Sequence, residues 1–369
     1  MLSYEFPPWG GGTGNACRRM LEVCREDPAL AVDLVTSGAG DRLETEVFGE
    51  SIRIHRVPID KRSVHFWTIS ELAQWTWRAW KVGRRLVRRR DFALCHCWSG
   101  WPSGWIGHAL RERLPYLVAL RGSDVPGYSS RLTLLDPLVL RHLSRRVWRH
   151  ASAVTAVSEH LRSLAQRTDP GLPIEVIGNG VDTSFFVPGR PGEEFSLLFV
   201  GRLIERKGVI HLLRAFHDLS AEGRPCRLAI VGDGPERARL EQSCRELGIS
   251  DRVDFHGVLP HDRLRAVYQH ASVFVMPALQ EGMSNAVLEA MASGLPVVMT
   301  ATGGSEAVRD NGAIVPAGDA AALRDALASY LDDPERRRRH GQASRERAEG
   351  MSWEVTSRAY LDLYRRILG

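Results

Sequence analysis

The chain has 369 residues, 44% of them hydrophobic and 25% charged, with a formal net charge of +5, and at roughly 100–200 residues per domain it can bury two separate cores. Disordered and fibrous classes are thereby excluded, and the longest nearly uncharged stretch, 286–298 broken by Glu289, falls short of the roughly 20 apolar residues that a membrane span requires. Charge is uneven: residues 1–185 carry +6 and residues 186–369 carry −1, so a basic-seeking partner is expected on the first half.

In chain order, residues 2–6 read as a first strand. It begins at Met1 with little room for a buried strand, so upstream residues are expected. Apolar runs follow at 31–36, 92–96, 117–120, 153–157 and 175–177, then at 196–200, 227–231, 253–256, 273–276 and 297–299. Longer amphipathic segments alternate with them, which is the pattern of βαβ units on a parallel sheet. Between the two sets, residues 178–182 and 187–194 are crowded with Gly and Pro and read as turn and linker. The fold expected is α/β, with two Rossmann-like doubly wound domains at 1–185 and 186–350. A terminal segment, 351–369, carries Val355, Tyr360, Leu361, Leu363, Tyr364, Ile367 and Leu368 at helical spacing and is expected to dock back on the first domain. Six cysteines (Cys17, Cys24, Cys95, Cys97, Cys226 and Cys244) form no disulfide framework, and Cys95-His96-Cys97 lacks a second ligand pair at zinc spacing. The N-terminus also lacks the basic-then-apolar layout of an export signal. No bound metal or cofactor, and a cytoplasmic location, are expected.

In doubly wound sheets, ligands sit beyond the carboxyl ends of the strands, so the loops after each apolar run carry the candidates. Gly10, Gly11, Gly12 and Thr13 precede an amphipathic segment, where backbone N–H groups suit a phosphate or an acceptor anion. After the run at 196–200, Gly201-Arg202-Leu203-Ile204-Glu205-Arg206-Lys207-Gly208 brings two cations, Arg202 and Lys207, to one strand end, enough to neutralise a diphosphate. Gly232-Asp233-Gly234 closes the next run with glycines where a backbone must approach closely. Glu281 stands in the loop after 273–276, and Glu289 follows eight residues later on an apolar helix. Such a carboxylate needs a polar partner, since its unpaired burial costs several kcal/mol, and the diol of a ribose supplies two donors.

These residues resemble glycosyltransferase family 4, and the resemblance covers essentially the whole chain. Its most specific element is the E-x7-E pair, Glu281 and Glu289, within P-A-L-Q-E-G-M-S-N-A-V-L-E-A-M-A-S-G-L-P-V-V, together with G-R-L-I-E-R-K-G, V-G-D-G-P and I-G-N-G-V-D in the expected order. The resemblance implies the two-domain GT-B architecture, with its domains facing across a cleft. It implies that Arg202 and Lys207 bind a donor diphosphate, Glu289 the nucleotide ribose and Glu281 the donor sugar. Gly282, Met283, Ser284 and Asn285 would lie beside sugar and phosphates, Gly201, Gly232 and Gly234 would line the donor, and the base would pack near His256, Gly257 and Val258. Transfer with retention and without a metal is implied as well. Two departures stand out. Where many members carry a His after the strand at 92–96, this chain has Trp98, with His96 two residues earlier. The His-Gly pair common in the next loop is here Arg121-Gly122, followed by Asp124. Arg121 and Asp124 are therefore candidates for contact with phosphate or acceptor, and His96 and Trp98 for contact with acceptor.

Between Leu72 and Arg90 there is no acidic residue, while Arg78, Lys81, Arg84, Arg85, Arg88, Arg89 and Arg90 are basic and Trp67, Trp75, Trp77 and Trp80 lie in or before the segment. Arg141, Arg145, Arg146, Trp148 and Arg149 form a second such patch. Basic helices flanked by Trp suit an anionic membrane surface, whereas no nucleic-acid module accompanies the charge. The expected function is transfer of a sugar, with a uridine diphosphate donor, to a hydroxyl of a cell-surface glycan or lipid-linked acceptor, on the inner face of the plasma membrane. A small soluble acceptor, or a non-catalytic member binding glycan or nucleotide, is the alternative.

Overall fold

The structure is a computed structural model, and it describes residues 1–61, 67–128, 139–190, 192–221 and 223–369. Pro191 of the expected linker lies outside the described residues. The chain divides into two compact units, Met1–Asn179 with Trp353–Gly369, and Gly180–Ser352. The contact boundary thus falls between Asn179 and Gly180, and residues 180–185, placed by composition with the first half, belong to the second unit.

In the first unit, α1 (Gly12–Glu26), β1 (Val32–Gly38), β2 (Glu44–Val47), β3 (Ile52–Pro58), α2 (Ile69–Arg89), β4 (Cys95–Cys97), α3 (Ser103–Leu110), β5 (Tyr116–Leu120), α4 (Arg141–Arg149), β6 (Ala153–Ala156), α5 (Glu159–Thr168) and β7 (Glu175–Val176) follow one another. The strands form two ladders, β1-β3-β2 and β4-β5-β6-β7. Leu2 joins them through parallel bridges to Val35 and Cys97. The expected strand at 2–6 is therefore present as this single bridging residue. Tyr4 carbonyl instead accepts from Ser37 Oγ at 2.8 Å, and the chain turns where Phe6 bridges Trp9. β4 and β5 are buried throughout, as strands covered on both faces must be. α2 starts at a capping box: Thr68 side chain accepts from Glu71 N–H, and Glu71 carboxylate accepts from Thr68 N–H, which satisfies two orphan donors.

The second unit contains β8 (Ser196–Val200), α6 (Val209–Ala221), β9 (Arg227–Val231), α7 (Arg237–Glu246), β10 (Val253–Gly257), α8 (His261–His270), β11 (Val273–Met276), α9 (Asn285–Ala292), β12 (Val297–Thr300), β13 (Gly312–Val315), α10 (Ala320–Asp332) and α11 (Pro334–Glu349). Its six strands are ordered β10-β9-β8-β11-β12-β13 and paired in parallel throughout. In strand sequence this is 3-2-1-4-5-6, the Rossmann order, whose topological switch point lies between the first and fourth strands, here β8 and β11. The interior strands β11 and β12 are fully buried, while the edge strands β10 and β13 expose alternate or terminal residues. Asp319 and Asp333 cap α10 and α11 through Ala322 and Arg336 N–H, each cap being worth about 1 kcal/mol.

The last helix, α12 (Trp353–Leu368), returns to the first unit. Its Trp353, Tyr360 and Leu363 share a core with Cys17, Met20, Leu21 and Cys24 of α1. Val355 and Leu368 of that helix are exposed. Among the described residues no helix is long and apolar enough to cross a membrane.

Candidate functional site

The switch point of the second unit is where the sequence motifs converge. The loop after β8 closes in a short 3-10 turn, Glu205–Lys207, and the loop after β11 runs alongside it: Leu279 N–H donates to Arg206 carbonyl at 2.8 Å. Across this contact Lys207 Nζ bonds the carboxylate of Glu281, both residues being 8% exposed. Burial alone would push the Glu281 carboxyl up. The charge and hydrogen bond of Lys207, with help from Arg206 and the Gly282 N–H, outweigh it and hold the carboxyl below its ordinary range. Lys207 Cε also lies 3.8 Å from where a Cβ on Gly201 would stand, which places that lysine beside the start of the Gly201-Arg202 loop.

Two glycine contacts draw the neighbouring loops together. A Cβ on Gly232, whose φ is +130°, would lie 1.9 Å from Gly201 carbonyl oxygen, so the turns after β8 and β9 touch backbone to backbone. A Cβ on Gly234 would likewise lie 2.3 Å from Leu203 carbonyl oxygen. The second contact is one that the motif reading misses: a Cβ on Gly303 would lie 2.3 Å from Glu281 carbonyl oxygen and 2.4 Å from that of Gly282. The pair Gly303-Gly304, in the loop after the apolar run at 297–299, is the signal that could have found it. It clamps the loop that carries Glu281, Gly282 and Met283.

Glu289 lies on α9, one turn inside its N-terminus, where Ser284 at the N-cap makes no side-chain capping bond. A helix start of this kind is open to a ligand anion. Glu289 Oε2 accepts from Tyr268 hydroxyl at 2.9 Å. Tyr268 is completely buried on α8, and burial together with the Glu289 charge pushes its phenol well up, so it remains a donor. Sequence reading passes over Tyr268 because a Tyr on an amphipathic helix looks like core. His256, Gly257 and Val258 close β10; His256 and Val258 are exposed, and Gly257 carbonyl accepts from Gly232 N–H at 2.8 Å, which ties the expected base-packing corner to the β9 turn.

In the first unit the candidates stand at the corresponding strand ends but are spent on one another. Asp124 accepts from Gly100 N–H at 2.6 Å, Arg121 N–H at 2.9 Å and Gly122 N–H at 2.7 Å. Its carboxylate therefore staples the loop after β4 to the loop after β5. Arg121 donates to Asn179 Oδ1 at 2.6 Å and lies over the Trp98 ring at 5.3 Å. Trp98 in turn stacks on His96 with centroids 4.4 Å apart, and His96 Nδ1 meets Tyr364 hydroxyl of α12 at 2.6 Å. His96 and Trp98 are each only 2% exposed, covered by α12 through Tyr360 and Tyr364. Burial, with the N-terminal charge and Arg121, pushes His96 well below its ordinary range, so it is neutral. A cavity of about 980 Å³ touches His96, Asp33 and Tyr364, yet Val32 and Asp33 open β1, so it lies at the amino end of the sheet.

Gly10 to Thr13 form the turn into α1, with Gly11 at the N-cap. The anion at this N-terminus is the chain's own: Gly11 N–H donates to Glu5 Oε2 at 3.4 Å, and a Cβ on Gly10 would strike Glu5 Cβ at 2.6 Å. Among the described residues no group of three or more His, Cys, Asp or Glu is arranged to hold a metal ion.

The basic segment divides in a way that sequence did not indicate. Trp75 is fully buried, Trp67 packs edge-on to Tyr4, Arg78 donates to Pro58 carbonyl at 2.8 Å, and Arg90 pairs with Asp33 at 3.0 Å. Trp77, Lys81, Arg84, Arg85, Arg88 and Arg89 remain exposed. In the second patch Arg149 pairs with Asp169 at 2.7 Å and Arg145 donates to Thr168 carbonyl, so both hold the end of α5, and Trp148 is core.

Comparison with known proteins fits this geometry. The fold is that of the GT-B glycosyltransferases: a sucrose-phosphate synthase from Thermosynechococcus elongatus superposes with a TM-score of 0.86 at 24% identity, covering 99% of this chain and 98% of that one. HepE of Anabaena in complex with UDP-glucose superposes with a TM-score of 0.75 at 17% identity, covering 99% and 98%. The family described as glycosyl transferases group 1 matches residues 157–347, and glycosyltransferase family 4 matches residues 10–185. A GDP-mannose-dependent alpha-mannosyltransferase of Mycobacterium tuberculosis is 31% identical over 394 aligned positions, covering 100% of this chain and 96% of that protein. The chain belongs to glycosyltransferase family 4.

Proposed function

We propose that this glycosyltransferase moves a hexose from a nucleoside diphosphate donor to an acceptor hydroxyl with retention of anomeric configuration and without a metal ion. The observation that carries the reading is the buried Lys207–Glu281 pair at the β8/β11 switch point. In the donor-free chain the two groups neutralise each other. With donor present, Lys207 and Arg202 turn to the diphosphate and Glu281 to the sugar hydroxyls, while Glu289, held by Tyr268, takes the ribose diol. Positive charge fixed in a desolvated site stabilises the departing diphosphate, which is the work a divalent cation does elsewhere. The diphosphate leaves first with the electron pair of the C1–O bond, an oxocarbenium-like sugar forms, and the acceptor hydroxyl attacks the same face while its proton passes to the departing phosphate oxygen, so no protein nucleophile is needed.

For the donor nucleoside we favour guanosine, with GDP-mannose as the donor, over the uridine expected above. The support is the GDP-mannose dependence of the M. tuberculosis mannosyltransferase, which aligns over the whole chain. The complex of HepE with UDP-glucose, at 17% identity, keeps a uridine donor as the second arm of the test. For the acceptor we favour a lipid-linked or cell-surface glycan reached at the inner face of the plasma membrane, because α2 presents Lys81, Arg84, Arg85, Arg88 and Arg89 outward. Thermal shift with GDP, UDP, ADP and dTDP tests the donor: a ligand at about 100 times its Kd adds roughly 2.7 kcal/mol. Stabilisation by GDP supports the reading, stabilisation by UDP alone replaces the base, and no shift with any nucleotide favours a non-catalytic member. Turnover that collapses in EDTA would remove the metal-free mechanism, and equal rates on a soluble sugar acceptor would remove the lipid-linked one.

A further inference from the structure

Between α2 and α3 of the first unit runs a groove of about 370 Å³, lined by Ala73, Thr76, Trp77, Trp80, Ile106 and Ala109 together with Trp101 and Trp105. Its volume is at the small end of ligand sites, which span about 300–1,000 Å³. The two helices meet at Gly83, where an added Cβ would touch Leu110 Cδ1 at 3.4 Å, and the groove lies N-terminal to that contact on both. Four indoles in one shallow slot are not explained by the core, since Trp77 is 57% exposed. Thr76 is the one lining side chain with a hydroxyl, and that hydroxyl donates to Leu72 carbonyl at 2.6 Å. A sugar ring needs hydrogen-bonding side chains beside its aromatic platform, and this slot supplies none from Thr76.

The rim is charged and of one sign. Trp77 and Trp80 stack with centroids 5.2 Å apart, Lys81 Nζ stands 4.6 Å over Trp77, and Arg84 Cζ stands 5.4 Å over Trp80. From Leu72 to the end of α2, and throughout α3, there is no acidic residue. An apolar slot with a cationic rim is complementary to an alkyl chain that ends in an anionic headgroup.

We propose that this groove is a lipid site: it takes a segment of an acyl or prenyl chain of an anionic membrane lipid, with the lipid phosphate against Lys81 and Arg84. This rests on the reading of an enzyme that works at a lipid surface. It adds a single defined slot to what would otherwise be diffuse attraction of Arg and Lys to the headgroups.

Two measurements on the full chain separate slot from surface. Isothermal titration with dodecyl phosphate below its critical micelle concentration needs no membrane. We expect saturable binding at one site, weakened at least tenfold by Ala109→Trp, which fills the slot from an exposed position, and by Trp77→Ala. Lys81→Gln with Arg84→Gln should cut the preference for dodecyl phosphate over dodecyl maltoside to within about twofold. Equal affinity in wild type and Ala109→Trp overturns the slot. Co-sedimentation with vesicles of phosphatidylcholine and phosphatidylglycerol at low salt tests the surface. Vesicle binding that Ala109→Trp leaves unchanged, with no uptake of dodecyl phosphate, rejects the slot and keeps the surface. Uptake of dodecyl phosphate without any vesicle binding rejects the surface reading alone.

Discussion

Both units carry loops at the carboxyl ends of parallel strands and use them oppositely. In the second unit the loops at the switch point hold a buried lysine and glutamate against each other, a pair whose members a ligand can take over. In the first unit the loops at the same ends consume their polar groups internally: Asp124 on three backbone N–H groups, Arg121 on Asn179 and His96 on Tyr364. The difference teaches that a charged residue at a strand's carboxyl end is only a candidate. Whether its partners can be exchanged for a ligand's decides its role.

The contrast predicts that substitutions in the second unit remove activity, with a loss of stability where a buried charge is left unpaired, while those in the first remove stability alone. Glu281→Ala should lower turnover by about 10²–10³-fold with nucleotide affinity changed far less, because only the sugar loses its partner. Lys207→Ala should do both kinds of damage. It weakens diphosphate binding and leaves the Glu281 carboxylate buried without its cation, at about 3–5 kcal/mol, seen as a fall in Tm. That deficit has a sign in pH. Since the paired carboxyl sits below its ordinary value of 4.5, its stabilisation is complete above that value and disappears as pH falls below it. Wild type and Lys207→Ala should therefore converge in stability on acidification, and parallel curves would refute the pairing.

Asp124→Ala sharpens the comparison from the other side. Three backbone N–H groups lose their acceptor, so roughly 3 kcal/mol of stability is expected to go, while the Kd for nucleotide stays at the wild-type value. Weaker nucleotide binding without a change in Tm would show that Asp124 belongs to the ligand. Tyr268→Phe has a smaller effect of the opposite kind. It removes one hydrogen bond to Glu289, worth about 1 kcal/mol, so nucleotide affinity should fall several-fold with kcat unchanged.

Most of the second unit was legible because its signals are local. The runs at 196–200, 227–231 and 273–276 coincide with β8, β9 and β11, since interior parallel strands must be continuously apolar. Where burial is partial the signal fades: β2, Glu-Thr-Glu-Val, is exposed throughout, and its antiparallel place beside β3 is set by pairing that no periodicity announces. The Lys207–Glu281 contact joins residues 74 apart and could be read from motif order, but not from spacing. The Gly303 clamp left only a glycine pair as its signal and Tyr268 left none, because their meaning lies in what they touch. The burial of His96 and Trp98 was not legible for one reason: α12 comes from the far end of the chain, and nothing near β4 says that a residue 268 positions away will cover it.

That covering helix supplies the mildest test. His96 is held neutral by burial, whereas in the unfolded chain it titrates near pH 6.5. Below that pH the unfolded state binds a proton that the folded state does not, so stability falls as pH drops from about 6.5, by at most about 1.4 kcal/mol per pH unit from this residue. His96→Phe preserves the stack on Trp98 and should flatten that slope between pH 6.5 and 5 by up to that amount. The pH dependence of transfer over the same range should be unaltered, because a neutral, 2% exposed imidazole exchanges no proton with a substrate. If the substitution instead moved an acidic limb of the rate profile and left stability untouched, His96 would have to be reached by acceptor, and the first unit would hold chemistry after all.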